Sequence, residues 1–192
     1  MQKVIVFGLA FILCAVLVVG CFAPQDTDTS FSEDVLRIHI RANSNGEKDQ
    51  KVKYEVKNAV TEFLTPLLVG ATDKEKARKI IQSNLDEISA LATAVLEKNG
   101  FAYGAKASLC KESFPTRHYE ELTLPAGEYD ALILNLGEAE GDNWWCVVYP
   151  PLCFVVGYDV AGNAIVYQSK LKEIIEKFFN QYEEKQEEKY GD

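Results

Sequence analysis

The stretch Tyr129-Asp130-Ala131-Leu132-Ile133-Leu134-Asn135-Leu136 is apolar on both of its strand faces. Leu132, Leu134 and Leu136 fall on one side, and Ala131 and Ile133 with Asn135 on the other. Successive side chains of a strand point to opposite faces, so such a segment must be covered above and below. It is expected to be a central strand, and the rest of the chain must supply two covering layers.

Candidate layers are visible on both sides of it in the sequence. Val35 to Ala42 alternates, with Leu36, Ile38 and Ile40 on one face and Arg37, His39 and Arg41 on the other, and reads as the first strand. Asn43 to Glu47 is a turn, and Ser44 and Glu47 have capping-box spacing for a helix carrying Val52, Val56, Ala59, Val60, Phe63, Leu64 and Leu67 on one stripe. Thr72 and Glu75 repeat the spacing before a second stripe, Ala77, Ile80, Ile81, Leu85, Ile88, Leu91, Ala92 and Val95, which Asn99-Gly100 stops. Ala102 to Glu112, Tyr129 to Leu136, Trp144 to Tyr149 and Ala164 to Gln168 are short β-rich runs between turn residues. Ser169 then caps a last helix with Leu171, Ile174, Ile175, Phe178, Phe179 and Tyr182 inward, and residues 183–192 form a charged tail. The expected fold is α+β, a mixed α/β sandwich. One domain over residues 35–182 has a central sheet of about four to five strands, a helical pair after the first strand and a C-terminal helix.

The chain opens with one lysine and then carries no charge from Val4 to Gln25. This reads as an export signal or membrane anchor over residues 1–23, since the apolar run exceeds a usual secretory core and approaches a bilayer span. Val18-Val19-Gly20-Cys21 also resembles a lipoprotein cleavage box, making Cys21 a candidate for lipidation. Cleaved signal, retained anchor and lipid anchor are all open, and each places the domain on the outer face of the membrane. Residues 24–34 are a polar linker. Beyond the leading segment, whose one charge is Lys3, the chain is more acidic than its overall net charge of −9. A nucleic-acid partner is therefore not expected, because phosphate recognition needs a basic patch.

Outside the cytoplasm disulfides persist if the space is oxidising, and Cys110, Cys146 and Cys153 remain beyond the leading segment. In Trp144-Trp145-Cys146-Val147-Val148-Tyr149-Pro150-Pro151-Leu152-Cys153 the Pro-Pro pair can fold the chain back and bring Cys146 to Cys153. The alternative is three buried thiols packing as small apolar groups.

Catalytic patterns are sparse. The chain has two histidines, His39 and His118, and no Gly-x-Ser-x-Gly elbow, His-Glu-x-x-His helix or phosphate-binding glycine loop. No metal or cofactor is expected. Arg37, His39 and Arg41 form a candidate partner-binding face able to receive carboxylates; the alternative is the solvated face of an edge or antiparallel strand. The expectation is a binding protein and not an enzyme. The competing classes are an extracytoplasmic hydrolase or thiol enzyme acting on cell wall or protein, and a lipid-anchored scaffold.

Three blocks in order carry a family resemblance. They are Leu36 to Ser44 with Asn43, Ser44, Asp49 and Gln50; Phe114-Pro115-Thr116-Arg117 with Leu124 to Tyr129; and Asn143-Trp144-Trp145-Cys146 with Pro150-Pro151-Leu152-Cys153-Phe154. Together they resemble stage II sporulation protein R of endospore-forming Firmicutes. The resemblance implies a signal made in the forespore and exported into the space between forespore and mother cell, secreted or membrane-anchored. It further implies a protein partner, the membrane-embedded aspartic protease that matures the sigma-E precursor. It carries over no catalytic residues.

Overall fold

A computed structural model of the chain describes residues 34–119, 122–154, 173–181, 183–184 and 187–188. The leading segment with Cys21, nearly all of the linker and the strand expected over Ala164 to Gln168 lie outside the described residues. No helix among the described residues is long and apolar enough to cross a membrane.

The elements run β1 (Leu36–Arg41), α1 (Glu47–Leu68), α2 (Lys74–Ser83), α3 (Leu85–Lys98), β2 (Ala105–Phe114), β3 (Arg117–Tyr119), β4 (Leu122–Leu124), β5 (Gly127–Leu136), β6 (Asn143–Tyr149) and a 3₁₀ turn at Leu152–Phe154. Residues 173–181 form a further helix, α4. The main sheet has the order β2-β5-β1-β6, and β3 pairs with β4 in a separate two-stranded sheet. β1 runs parallel to β5 and antiparallel to β6, while β2 and β5 pair antiparallel along their full lengths. The architecture is the mixed α/β single domain that the residue pattern implies.

β5 is an interior strand, and Ala131, Leu132, Ile133, Leu134 and Leu136 are all buried. The two sides belong to different cores. Leu132, Leu134 and Leu136 join Leu36, Ile38 and Ile40 under the helices, where Val52, Val56, Val60, Leu64, Ala77, Ile81, Ile88, Ala92 and Leu96 supply the covering layer. Ala131 and Ile133 join Val35, Phe114, Leu124, Tyr129, Val147 and Phe178 on the opposite face. Each fully buried leucine contributes about 1.5–3 kcal/mol by removal from water.

The helices depart from expectation in their ends. The second stripe is broken into α2 and α3 at Asn84, whose side-chain amide donates to the Ile80 carbonyl at 2.7 Å and diverts the backbone out of helical geometry. Asp73, one residue after the expected cap, accepts from the Lys76 N–H at 2.7 Å. Gly46 and not Ser44 occupies the cap position of α1, because the Ser44 hydroxyl is bonded to Asp49. The stop at Asn99-Gly100 holds, with Gly100 at φ +81. On α4, Phe178 is buried in the second core, where Phe179 packs, and Ile174 packs on the first. The β3–β4 hairpin has no counterpart in the sequence reading.

Candidate functional site

β1 supplies the first group of candidate residues. Arg37, His39 and Arg41 share one face, in register with Ala131, Ile133 and Asn135 of β5 and with Val147, Trp145 and Asn143 of β6. The expectation of an exposed face is corrected here: Arg37 is 0% and His39 1% exposed. β1 is interior, and its polar side is roofed by aromatic groups. Glu112 and Phe114 stand in register with Tyr129 and Gly127, well along β5 from the partner of His39. Their contacts with β1 therefore require the β2–β5 ribbon to coil over the sheet, as strongly twisted two-stranded ribbons do.

Beneath that roof, the Arg37 guanidinium lies 4.0 Å from the Phe114 ring centre and 4.8 Å from that of Tyr129, a cation between two π faces. Its Nη2 donates to the Tyr119 hydroxyl at 2.9 Å, while Nε and Nη1 have no hydrogen-bond partner among the described residues. Burial pushes the guanidinium pKa down, the Tyr119 and Tyr129 hydroxyls oppose this, and Arg117 adds to it. His39 stacks on Trp145 with centroids 3.6 Å apart, and Phe114 meets the imidazole edge-on at 6.0 Å. Its Nδ1 lies 3.3 Å from the Glu112 carboxylate, which Arg41 also engages. Burial lowers the His39 pKa, Asn143 and Glu112 pull it up, and Arg41 pushes it down. Arg41, half-exposed, also donates to Asn135 at 3.3 Å.

A second cluster joins the β1–α1 turn to the β5–β6 turn. The buried Asp49 carboxylate accepts from Asn43 Nδ2 at 2.9 Å, Ser44 Oγ at 2.5 Å and Tyr103 Oη at 2.6 Å. Burial alone would raise its pKa, but these three donors together outweigh it and hold the carboxyl below its ordinary value. Asn43 Oδ1 accepts from the Glu138 N–H at 3.0 Å, and Asn45 Oδ1 from the Asp142 N–H at 2.6 Å. Gln50 Nε2 donates to the Ser44 carbonyl at 2.9 Å, and the buried Lys53 ammonium donates to Gln50 Oε1 at 2.7 Å and the Asp142 carbonyl at 2.9 Å. The two turns approach so closely that Gly141 has no room for a Cβ, which would collide with the Ser44 carbonyl. Gly137, at φ +56, would likewise meet the Asn43 amide. Asn43, Ser44, Asp49 and Gln50 are thus brought together as a polar clasp.

The third block is structural as well. Trp144 packs on the helical core and Trp145 on the opposite one, as adjacent strand residues must. One extra residue in β6 between the partners of Leu36 and Arg37 makes a bulge at Val148. Pro150 and Pro151 are buried in the turn after β6. Cys146 and Cys153 are joined by a disulfide with Cα atoms 6.1 Å apart, and Cys110 is an exposed free thiol on β2.

His118, on the hairpin, pairs with Thr123 Oγ1 at 2.8 Å. Neither histidine has a cysteine as hydrogen-bond partner among the described residues. Metal-ligand clusters are absent among the described residues too. Sequence reading missed Glu112, Phe114, Tyr119 and Tyr129 as the roof and Tyr103 as an arm of the clasp; no local spacing links them to residues on β1 or α1.

These features define the class: a mixed α/β domain in which three sequence blocks build one roofed sheet, one clasp and one crosslinked turn. A family model, Stage II sporulation protein R, matches residues 32–158. The chain belongs to that family. It is 35% identical over 182 residues to Stage II sporulation protein R of Bacillus subtilis (strain 168), covering 92% of this chain and 80% of that relative. No solved structure matches.

Proposed function

We propose that the chain is an intercellular signal of sporulation that acts by binding. Exported from the forespore, tethered or released, it engages the membrane-embedded aspartic protease that matures the sigma-E precursor and favours its active arrangement. A ligand shifts such an equilibrium only through different affinities for the two states, so no chemistry on the signal is required. The role of the family blocks supports this reading: Asn43, Ser44, Asp49 and Gln50 direct their polar groups at one another and at neighbouring backbone, fixing a shape. The pairing of Cys146 with Cys153 supports it further, since a crosslinked turn suits an exported domain.

Co-expression with the protease and the sigma-E precursor in a non-sporulating host tests the proposal. Cleavage should appear when this chain is added and disappear without it. Cleavage independent of the chain would reject it. Mass spectrometry of the membrane fraction distinguishes a cleaved signal, an intact anchor and a lipid on Cys21.

A further inference from the structure

We propose that the Arg37–His39 layer is a recognition site for an acidic peptide segment of a protein partner, which enters on the Tyr119 side and pairs with Arg37; the assignment rests on the reading that the chain acts by binding. Arg37 is fully buried and stays ionised, yet among the described residues its guanidinium has no carboxylate partner. Among the described residues the acid on this face is Glu112, which is engaged by His39 and Arg41. Among the described residues Nε and Nη1 of Arg37 have no acceptor, and Nε2 of His39 makes no hydrogen bond of ordinary geometry, although Asn143 acts on the ring. A buried cation without a counter-charge is strongly destabilising. Three buried nitrogens on one strand face, without hydrogen-bond partners among the described residues, mark a site that a further group completes.

Its chemistry is set by the two residues. Glu112 takes the Nδ1 hydrogen of neutral His39, so Nε2 offers a lone pair and needs a donor, whereas Arg37 needs an acceptor. An acidic peptide carries both: a side-chain carboxylate for Arg37 and a backbone N–H for His39. An inorganic anion supplies acceptors alone. The approach is also marked. Phe114 and Tyr129 belong to the long β2–β5 ribbon, but Tyr119 and Leu124 come from three-residue strands that, among the described residues, pair with each other and not with the main sheet. A lone two-stranded hairpin is marginally stable, so this is the low-cost side to open. Exposed Arg117 on the same hairpin lies 5.6 Å from the Trp145 ring, which in turn stacks on His39. In a chain of net charge −9 the two guanidinium groups, Arg117 exposed and Arg37 buried, draw acidic groups to this face.

Titration calorimetry of the full chain with a blocked tetraglutamate peptide, its tetraglutamine counterpart and sodium sulfate tests the site. The glutamate peptide should bind at least about tenfold more tightly than the glutamine one. Arg37→Met should abolish binding while leaving Tm unchanged or raised, because an unpaired buried cation is replaced by an apolar chain of similar size. Tyr119→Phe, which removes the internal acceptor competing for Arg37, should tighten binding, and Arg117→Gln should weaken it and flatten its salt dependence. Equal binding of both peptides, sulfate competing as well as peptide, or binding retained in Arg37→Met would overturn the proposal. So would unfolding or a lowered Tm in Arg37→Met, which would make Arg37 a structural pillar. Peptide binding without protease activation in the co-expression assay would reject the activation reading alone; activation without peptide binding would reject this one alone.

Discussion

The imidazole of His39 lies nearly parallel to the indole of Trp145, at an interplanar angle of 20° and a centroid separation of 3.6 Å. The two are cross-strand partners in the β1–β6 register, so the stack ties an interior strand to an edge strand on the face away from the helices. It also places a titratable ring where water does not reach.

Acid should therefore loosen the domain through His39. Burial, the dominant influence, depresses its folded-state pKa, so below the ordinary histidine value the unfolded chain binds more protons than the folded one. The contribution is fully present above about pH 6.5 and is lost as pH falls toward the depressed value. Tm measured at pH 5.5 should lie below Tm at pH 7.5, and His39→Phe should remove that part of the slope. A slope unaltered in the variant would assign it to other groups.

The clasp predicts a separate and more acidic window. Asp49 has a depressed pKa, so its contribution is present above the ordinary carboxylate range and declines as pH falls through it toward the folded-state value. Asp49→Asn should cost about 2–4 kcal/mol in urea unfolding, since three donors lose a charged acceptor. Tyr103→Phe should cost less, and the double variant should show a coupling of roughly 1 kcal/mol. Additive losses would mean that the 2.6 Å contact between them carries no energy.

Closure of the two turns predicts intolerance at a single small residue. Gly141→Ala sets a methyl group against the Ser44 carbonyl and should destabilise by about 1–3 kcal/mol through displacement of the turn. Hydrogen exchange should show faster opening at Asn45 and Asp142 in the variant, and unchanged protection there would contradict the packing described.

For the crosslink, the expected contribution follows from the short loop between Cys146 and Cys153, whose positions are 7 apart. Chain-entropy arguments give about 2.5 kcal/mol for a loop of this length. The double variant Cys146→Ala, Cys153→Ala should unfold at lower urea by that amount, and reductant should then have no further effect on it. A parent protein insensitive to reductant would show the bond to be energetically idle.

The both-sided apolarity of Ala131 to Leu136 was enough to place β5 inside a sheet, because a period of two reports burial on each face directly. The same periodicity misjudged β1. Alternation marks Arg37, His39 and Arg41 as polar but is silent on whether water or aromatic rings meet them, and the groups that do, Tyr119 and Glu112, are 82 and 73 positions from their partners. The β3–β4 hairpin escaped notice because three-residue strands carrying Arg117 and His118 leave no run long enough to show a period. Asn43, Ser44, Asp49 and Gln50 could be recognised as a block, whereas their joint role depends on a turn made by residues 137–142.

The order of the sheet has a consequence for biosynthesis. β1 is the first described strand to leave the ribosome, but it sits between β5 and β6, the last two described strands of the sheet to be made. Its parallel neighbour cannot pair with it until Ala131 to Asn135 exist, and its other edge stays open until Trp144 to Tyr149 follow. Long-range pairing of this kind is slow and leaves strand edges unguarded meanwhile. A nascent chain ending before Tyr149 holds no finished four-stranded sheet, so the sheet can present its faces to a partner only once β6 has been made.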